Sequence, residues 1–349
     1  MMEFKIEDKT IGDKHPVFII AELSANHLKR FDLAVKTIKA AKEAGADAIK
    51  VQTLTPDTMT INCNNNHFNI KGGTLWDGKS FYELYSETSM PWEWHKKLKK
   101  IALKLGLIFF STPYDKTAVD FLEKLKVPAY KVASFEITDT PFIEYTASKG
   151  KPIIISTGIA TLNEIKEAVN SCKKSGNKQI ALLKCTSAYP TPLEEVNLKT
   201  IPDLAKKFKT VVGLSDHTLG ISVPIASVAL GAKIIEKHII LDRELGGPDA
   251  KFSLEPKEFK EMVKSVREVE KALGKVTYQL AEKVKKNRKF ARSLFIVEDV
   301  KAGEVLTKKN IRSIRPGDGL PPKYLNSILG KKAVKGFKKG TPLRWDIIQ

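Results

Sequence analysis

The stretch "TVVGLSDHT" (residues 210–218) runs from an apolar segment straight into three polar side chains, Ser215, Asp216 and His217. A second stretch, "KIIEKHI" (233–239), likewise ends an apolar segment on Glu236 and His238. Continuous apolar runs of this length read as strands buried on both faces, as in a parallel sheet. Similar runs recur upstream: "VFIIAEL" (17–23), "AIKVQT" (48–53), "LIFFSTP" (107–113), "AYKVAS" (129–134), "PIIIST" (152–157) and "IALLKCT" (180–186). Helical spacing follows them near 31–44, 92–106, 115–126, 140–149, 161–175, 198–208, 221–231 and 256–273. Strands alternating with helices predict a parallel α/β fold, and eight such units in about 250 residues predict a closed (β/α)8 TIM barrel. An open doubly wound sheet is the alternative, but it usually carries a glycine-rich first turn, and none follows the first strand. A long polar insertion, about 54–90, interrupts the spacing.

Beyond residue 274 the pattern changes. Residues 279–292 are charged and read as a linker, and 293–349 read as a small β-rich module with turn glycines and prolines. The expected division is a barrel domain over 1–278, the linker, and the module, which is small for independent stability. The 349 residues are 42% hydrophobic, enough for a full core. Net charge is +19, and residues 257–349 hold 24 Lys and Arg against 10 Asp and Glu. Without a helix-turn-helix pattern or an aromatic RNA-binding motif, this reads as a lysine-coated surface rather than a nucleic-acid footprint. It should still draw anionic substrates. Three scattered cysteines match neither a disulfide framework nor a metal-binding pair, which points to a reducing, cytoplasmic setting. The N-terminus lacks the apolar region of a signal peptide. No apolar run approaches the roughly 18–20 residues of a bilayer span, so no membrane association is expected.

In a closed barrel the active site lies at the C-terminal ends of the strands. In chain order those ends carry Glu22, with Asn26 and His27 beyond; Lys50 and Gln52, two apart and on one face; then Ser111 and Thr112. Lys131, Ser134 and Glu136 follow, then Ser156 and Thr157, then Lys184, Thr186, Ser187 and Tyr189. Ser215 with His217, and Glu236 with His238, complete the ring. Unpaired buried charges are costly, so this convergence needs a reason. Lysines among hydroxyls make a cradle for a phosphate and a carboxylate. Two neutral imidazoles with open positions can hold a divalent metal as a Lewis acid. Glu22 and Glu136 read either as proton-transfer groups or as ion-pair partners of Lys50 and Lys131. Asp249, in "LGGPDAKFSLEP" (245–256), reads either as a carboxylate over the mouth or as a cap for the next helix. An aldolase forming a Schiff base on Lys50 or Lys131 is an alternative. So is a non-catalytic carbohydrate- or nucleic-acid-binding protein using the basic tail.

Further motifs carry a resemblance. "AELSANH" (21–27), "IKVQT" (49–53), "AYKVASFE" (129–136), "KPIIISTG" (151–158), "CTSAYPTP" (185–192), "GLSDHT" (213–218) and "EKH" (236–238) occur in order. Through them the chain resembles the sialic acid synthase family along nearly its whole length. Its C-terminal module resembles that family's antifreeze-like (SAF) domain through "RPGDG" (315–319). The resemblance implies an enzyme that condenses phosphoenolpyruvate with an amino sugar, giving a nine-carbon sialic-type acid and phosphate. It implies a divalent metal on His217 and His238: manganese or magnesium, with cobalt as a further option. It places phosphoenolpyruvate on Lys50, Thr112, Lys131, Ser134, Ser156 and Ser215, and the sugar on Gln52, Tyr189 and Asp249. Glu22 and Glu136 fall near the reacting centre. It further implies a homodimer in which the antifreeze-like domain of one chain caps the barrel of the other and brings Arg315 to the sugar.

Two departures stand out. Ala133-Ser134-Phe135-Glu136 stands where the sialic acid enzymes usually read Gly-Ser-Gly-Glu, and Ser187 stands where they usually carry asparagine at a substrate contact. "GTLWDGKSFYELY" (73–85), "MPWEWH" (90–95) and "GGPDAKFSLEP" (246–256) resemble the pseudaminic acid synthase branch. That branch takes 2,4-diacetamido-2,4,6-trideoxy-L-altrose, and Phe135 and Phe252 would offer apolar surface to its methyl and acetyl groups. N-acetylneuraminate or legionaminate synthesis is the alternative within the family.

Overall fold

The structure is a computed structural model and describes residues 3–349. The chain forms two compact units that divide after Gly274. In the first, β1 (Phe4–Ile6) and β2 (Lys9–Ile11) pair as an antiparallel hairpin. Eight parallel strands then close into a barrel: β3 (Phe18–Glu22), β4 (Ala48–Thr53), β5 (Ile108–Pro113), β6 (Tyr130–Val132), β7 (Ile153–Ser156), β8 (Ile180–Lys184), β9 (Val211–Asp216) and β10 (Ile234–His238). Each strand pairs with its sequence neighbour, and β10 returns to β3. The expected (β/α)8 barrel is therefore the observed one.

The register sets the site. His238 pairs with Glu22, Glu22 with Lys50, Gln52 with Thr112, and Ser215 with Glu236. These residues fall in successive rows at the C-terminal ends of the strands. Gly213 permits the fit of β9: a Cβ there would lie 2.3 Å from the Ile234 carbonyl oxygen and 2.7 Å from Leu183 Cδ2. Glycine inside a strand marks such a close approach.

Helices α1 (Phe31–Glu43), α4 (Trp92–Lys104), α5 (Lys116–Lys124), α6 (Thr140–Ala147), α7 (Leu162–Lys174), α8 (Thr200–Phe208), α9 (Ser222–Ala229) and α10 (Pro256–Leu273) accompany the strands. Their starts follow local chemistry. Thr161 and Glu164 form a reciprocal capping box on α7, and Asp115 and Asp139 accept the first free N–H groups of α5 and α6. Apolar faces such as Leu98 and Ala102 of α4, and Phe259, Met262 and Val266 of α10, bury against the outward side chains of the sheet.

Two features were not legible in the sequence. Phe4, Ile6 and Ile11 of the hairpin are buried in one cluster with Phe18, Ile20, Ala48 and Ile108, so the hairpin plugs the barrel at the end opposite the site. The polar insertion is ordered as well. It holds α2 (Pro56–Met59) and α3 (Phe81–Thr88), the latter started by a Ser80–Glu83 capping box. Asp77 gathers the N–H groups of Gly72, Gly73 and Thr74 at 3.0, 2.8 and 2.9 Å.

The second unit begins at Lys275, a few residues before the expected boundary, and the stretch expected as linker carries α11 (Glu282–Asn287). Strands β11 (Ser293–Ile296) and β12 (Ile311–Ile314) pair antiparallel, and α12 (Leu325–Ile328) follows. Leu294, Ile296, Val300, Leu306, Ile311 and Leu343 give this unit its own small core. Among the described residues no helix is long and apolar enough to cross a membrane.

Candidate active site

Because side chains alternate along a strand, the register turns Glu22, Lys50, Lys131, Ser156, Ser215, Glu236 and His238 into the mouth of the barrel. All seven line one cavity, together with Ser24, Gln52, Ser134, Glu136, Tyr189, His217 and Asp249. At its floor two ammonium groups face two carboxylates. Lys50 Nζ lies 2.5 Å from Glu22 Oε2 and 3.7 Å from Glu236 Oε1. Lys131 Nζ lies 3.9 Å from the same Glu236 oxygen. Lys50 also donates to Thr112 Oγ1 at 2.9 Å, Lys131 donates to Ser156 Oγ at 2.6 Å, and Ser215 Oγ donates to Glu236 at 3.3 Å.

The two carboxyls are held differently. Burial, opposed by Lys50 and aided by the neighbouring Glu236, pushes Glu22 up to about 7. Burial also opposes ionisation of Glu236, but Lys131 and Lys50 outweigh it and hold this carboxyl below its usual range. Burial lowers Lys131, and Glu236 offsets only part of that. For Lys50, Glu22 and Glu236 outweigh burial, and the ammonium is held more firmly than usual. A proton on Glu22 leaves the cluster with a net positive charge, the condition for receiving an anion.

His217 and His238 sit side by side with ring centroids 5.3 Å apart. His217 Nδ1 is 3.3 Å from the Thr186 carbonyl oxygen and 3.7 Å from Cys185 Sγ. His238 Nδ1 is buried without a hydrogen-bond partner, 3.8 Å from Asp249 Oδ2. Burial, then the charges of His217 and Lys50, hold His238 well below the ordinary imidazole range, so it is neutral at pH 7. A buried, neutral, unpaired imidazole nitrogen beside a second imidazole fits a divalent cation. Among the described residues no group of three or more His, Cys, Asp and Glu forms a complete metal cage. Two protein ligands would leave positions open for substrate, as at a catalytic metal site.

The remaining polar residues sort by side. Gln52 Nε2 donates to Glu22 Oε1 at 3.2 Å and to Ser24 Oγ at 2.9 Å. Asp249 is at the mouth and does not cap the following helix: its carboxylate accepts from Ser24 Oγ and from the Ala25 N–H. Glu255 caps α10 instead. Ser134 Oγ accepts from the Gly158 N–H at 3.1 Å. Ser187 Oγ is buried without a partner, and a Cβ on Gly158 would lie 2.2 Å from it. Glu136 also keeps a buried, unpaired Oε2, and burial pushes its carboxyl up to about 7 against the pull of Lys131.

Several residues at the strand ends face elsewhere. Asn26 is tied to the Ile239 carbonyl and Ser253 Oγ, and His27 is buried edge-on to Trp94. Ser111 bonds Thr53 and the Val51 carbonyl behind the sheet. Lys184 folds back onto the Cys185 carbonyl and Thr186. Asp216 is turned outward into a buried 2.6 Å ion pair with Lys237. Phe252 does not line the cavity. It packs behind the histidines, with ring centroids 4.9 Å from His238 and 5.2 Å from Tyr189, so only Phe135 of the two phenylalanines faces the opening. Arg315 belongs to the second unit. Sequence reasoning missed Tyr114 and Trp76, which both line the cavity. Only the motif "GTLWDGKSFYELY" marked Trp76 at all.

Fold and site together define a (β/α)8-barrel enzyme whose mouth combines an anion cradle with a pair of imidazoles. Residues 37–278 match the NeuB family, and residues 291–349 match the SAF domain. The chain belongs to the NeuB family. It is 50% identical over 328 residues to the pseudaminic acid synthase of Campylobacter jejuni serotype O:2, covering 94% of this chain and 95% of that protein. It is 47% identical to the pseudaminic acid synthase of Helicobacter pylori, covering 96% and 98%. Among solved structures it resembles the N-acetylneuraminic acid synthetase of Leptospira borgpetersenii, with a TM-score of 0.74 and 32% identity, covering 82% of this chain and 95% of that one.

Proposed function

We infer that this protein is a transferase that joins phosphoenolpyruvate to 2,4-diacetamido-2,4,6-trideoxy-L-altrose and water, giving pseudaminic acid and phosphate. The observation that carries the reading is the convergence of two buried ammonium groups on Glu236, at 3.7 and 3.9 Å, beside the imidazole pair. The pseudaminic acid synthases at 50% and 47% identity support the choice of sugar.

Carbon 3 of phosphoenolpyruvate attacks the aldehyde carbon of the open-chain sugar, and a C–C bond forms. Water adds at carbon 2, the C–O bond to the phosphoryl group breaks, and phosphate leaves. Lys50 and Lys131, with Thr112, Ser134, Ser156 and Ser215, hold the anionic groups and stabilise the charge that develops. Such fixed charge is usually the largest catalytic contribution. Gln52, Tyr189 and Asp249 orient the sugar. Glu22 and Glu136, both held near neutrality by burial, are suited to move protons to or from the sugar oxygen and the adding water. A divalent cation on His217 and His238, manganese or magnesium with cobalt as a further option, supplies a Lewis acid for the aldehyde when bound. By family resemblance the active form is a cytoplasmic homodimer in which Arg315, on the antifreeze-like domain of one chain, reaches the sugar site of the other.

The test is direct. Purified protein with phosphoenolpyruvate, manganese and the L-altro sugar should release phosphate and form a nine-carbon acid in equal amounts. Absence of the acid by mass spectrometry would refute the assignment. Borohydride trapping with phosphoenolpyruvate and the sugar should leave Lys50 and Lys131 unmodified, which separates this route from a Schiff-base aldolase.

A further inference from the structure

The cavity has two chemically different sides. The side built from strand ends is charged and hydroxyl-rich. The other comes mainly from the insertion between β4 and α4 and from the turn after β6, and it presents Leu54, Met59, Trp76, Leu84, Tyr85 and Phe135. This apolar side is fixed in place. Trp76 Nε1 donates to the Pro248 carbonyl at 3.3 Å, and its ring lies 5.4 Å from that of Tyr189. That ties the insertion to the loop carrying Asp249. Leu84 is only 7% exposed, on a helix held by its Ser80–Glu83 capping box. Phe135 is 54% exposed although it borders the cavity.

A sugar hydroxyl pressed against such a wall loses its water without gaining a partner, which is unfavourable. The methyl group of a 6-deoxy carbon or of an acetyl group in the same place loses only unfavourable contact with water. Glu136 borders the wall with its unpaired Oε2, an acceptor suited to an acetamido N–H.

We propose that the wall formed by the insertion and Phe135 determines sugar specificity: it selects a sugar in which hydroxyls are replaced by a methyl and a second acetamido group. The inference rests on the reading that the cavity condenses a sugar with phosphoenolpyruvate. It concerns substituents and not ring stereochemistry, so the two can fail separately.

The experiment compares kcat/KM for phosphate release with three sugars: 2,4-diacetamido-2,4,6-trideoxy-L-altrose, 2,4-diacetamido-2,4,6-trideoxy-D-mannose and N-acetylmannosamine. The wall predicts that both trideoxy sugars outperform N-acetylmannosamine, each by roughly 10–200-fold or more, the range one methyl contact supplies. The assignment of pseudaminic acid additionally predicts the L-altro sugar over the D-manno one. In Leu84→Asn and Phe135→Ser the advantage over N-acetylmannosamine should shrink about tenfold, through KM for the sugar, with KM for phosphoenolpyruvate unchanged. Phe135 is exposed, so its variant stays folded even if Leu84→Asn does not. An unchanged preference in Phe135→Ser, or a wild type that prefers N-acetylmannosamine, overturns the proposal. Preference for the D-manno sugar overturns only the assignment of product. No turnover of either trideoxy sugar overturns both.

Discussion

Lys50 Nζ stands 2.5 Å from Glu22 Oε2, and both side chains are almost fully buried on neighbouring strands. Removing Lys50 leaves the buried Glu22 carboxyl without its partner, which costs about 1–3 kcal/mol, whereas removing both can be nearly neutral. Lys50→Met should therefore lower the melting temperature, and adding Glu22→Gln should restore much of it. Activity should not return, because the anion cradle has lost its ammonium group. A fall of at least 100-fold in kcat/KM is expected in both variants. A double variant with wild-type turnover would show that the pair is only structural.

The imidazole pair makes a prediction about metal. His217→Ala and His238→Ala should fold but lose manganese binding measured by calorimetry, with turnover down by about 100-fold or more. Chelator-treated wild type should be inactive and should recover on adding manganese or magnesium. Full turnover in metal-free buffer would contradict the role given to the histidines.

Glu136 makes a prediction about pH. Its carboxyl is raised in the folded protein from an ordinary 4.5 to about 7, chiefly by burial. A folded group with a raised value binds more protons than the unfolded chain between those limits, so stability falls as pH rises through that window. Its contribution is fully present below about 4.5 and lost above about 7. Glu136→Gln should melt close to wild type at pH 4 and higher than wild type at pH 8, by several degrees. Equal melting temperatures at both pH values would show that the carboxyl does not carry this burial penalty.

Gly213 makes a prediction about the fold. Gly213→Ala places a methyl group against the Ile234 carbonyl and Leu183. Overpacking of this kind costs about 1–3 kcal/mol. Urea unfolding should show a lower midpoint with an unchanged slope, and a midpoint equal to wild type would refute the close fit of β9 and β10.

The barrel was legible because each of its strands is a continuous apolar run, and the period of two alone put Lys50 and Gln52 on one face. Parity at other strand ends was not legible, because it depends on register across the barrel. Hence Ser111 and Lys184 read as mouth residues although they turn away from the cavity. The hairpin at Phe4–Ile11 was hidden by its charged outer faces, Lys5 and Lys9 among them. Trp76 and Leu84 stand singly in a polar stretch, and only the fold of the insertion brings them together at the cavity. Phe252 was placed near substrate by the resemblance of "GGPDAKFSLEP" (246–256), yet a short helical turn, Ala250–Phe252, carries it behind the histidines.

The central claim is that the barrel mouth gathers phosphoenolpyruvate and a metal at one point. A crystal structure of the protein with phosphoenolpyruvate and manganese, with the manganese located by anomalous diffraction, tests it most directly. An anomalous peak on His217 and His238 is expected, with a phosphate and carboxylate held by Lys50, Lys131 and Ser156. A metal peak away from both imidazoles, or phosphoenolpyruvate bound outside this cavity, would contradict it.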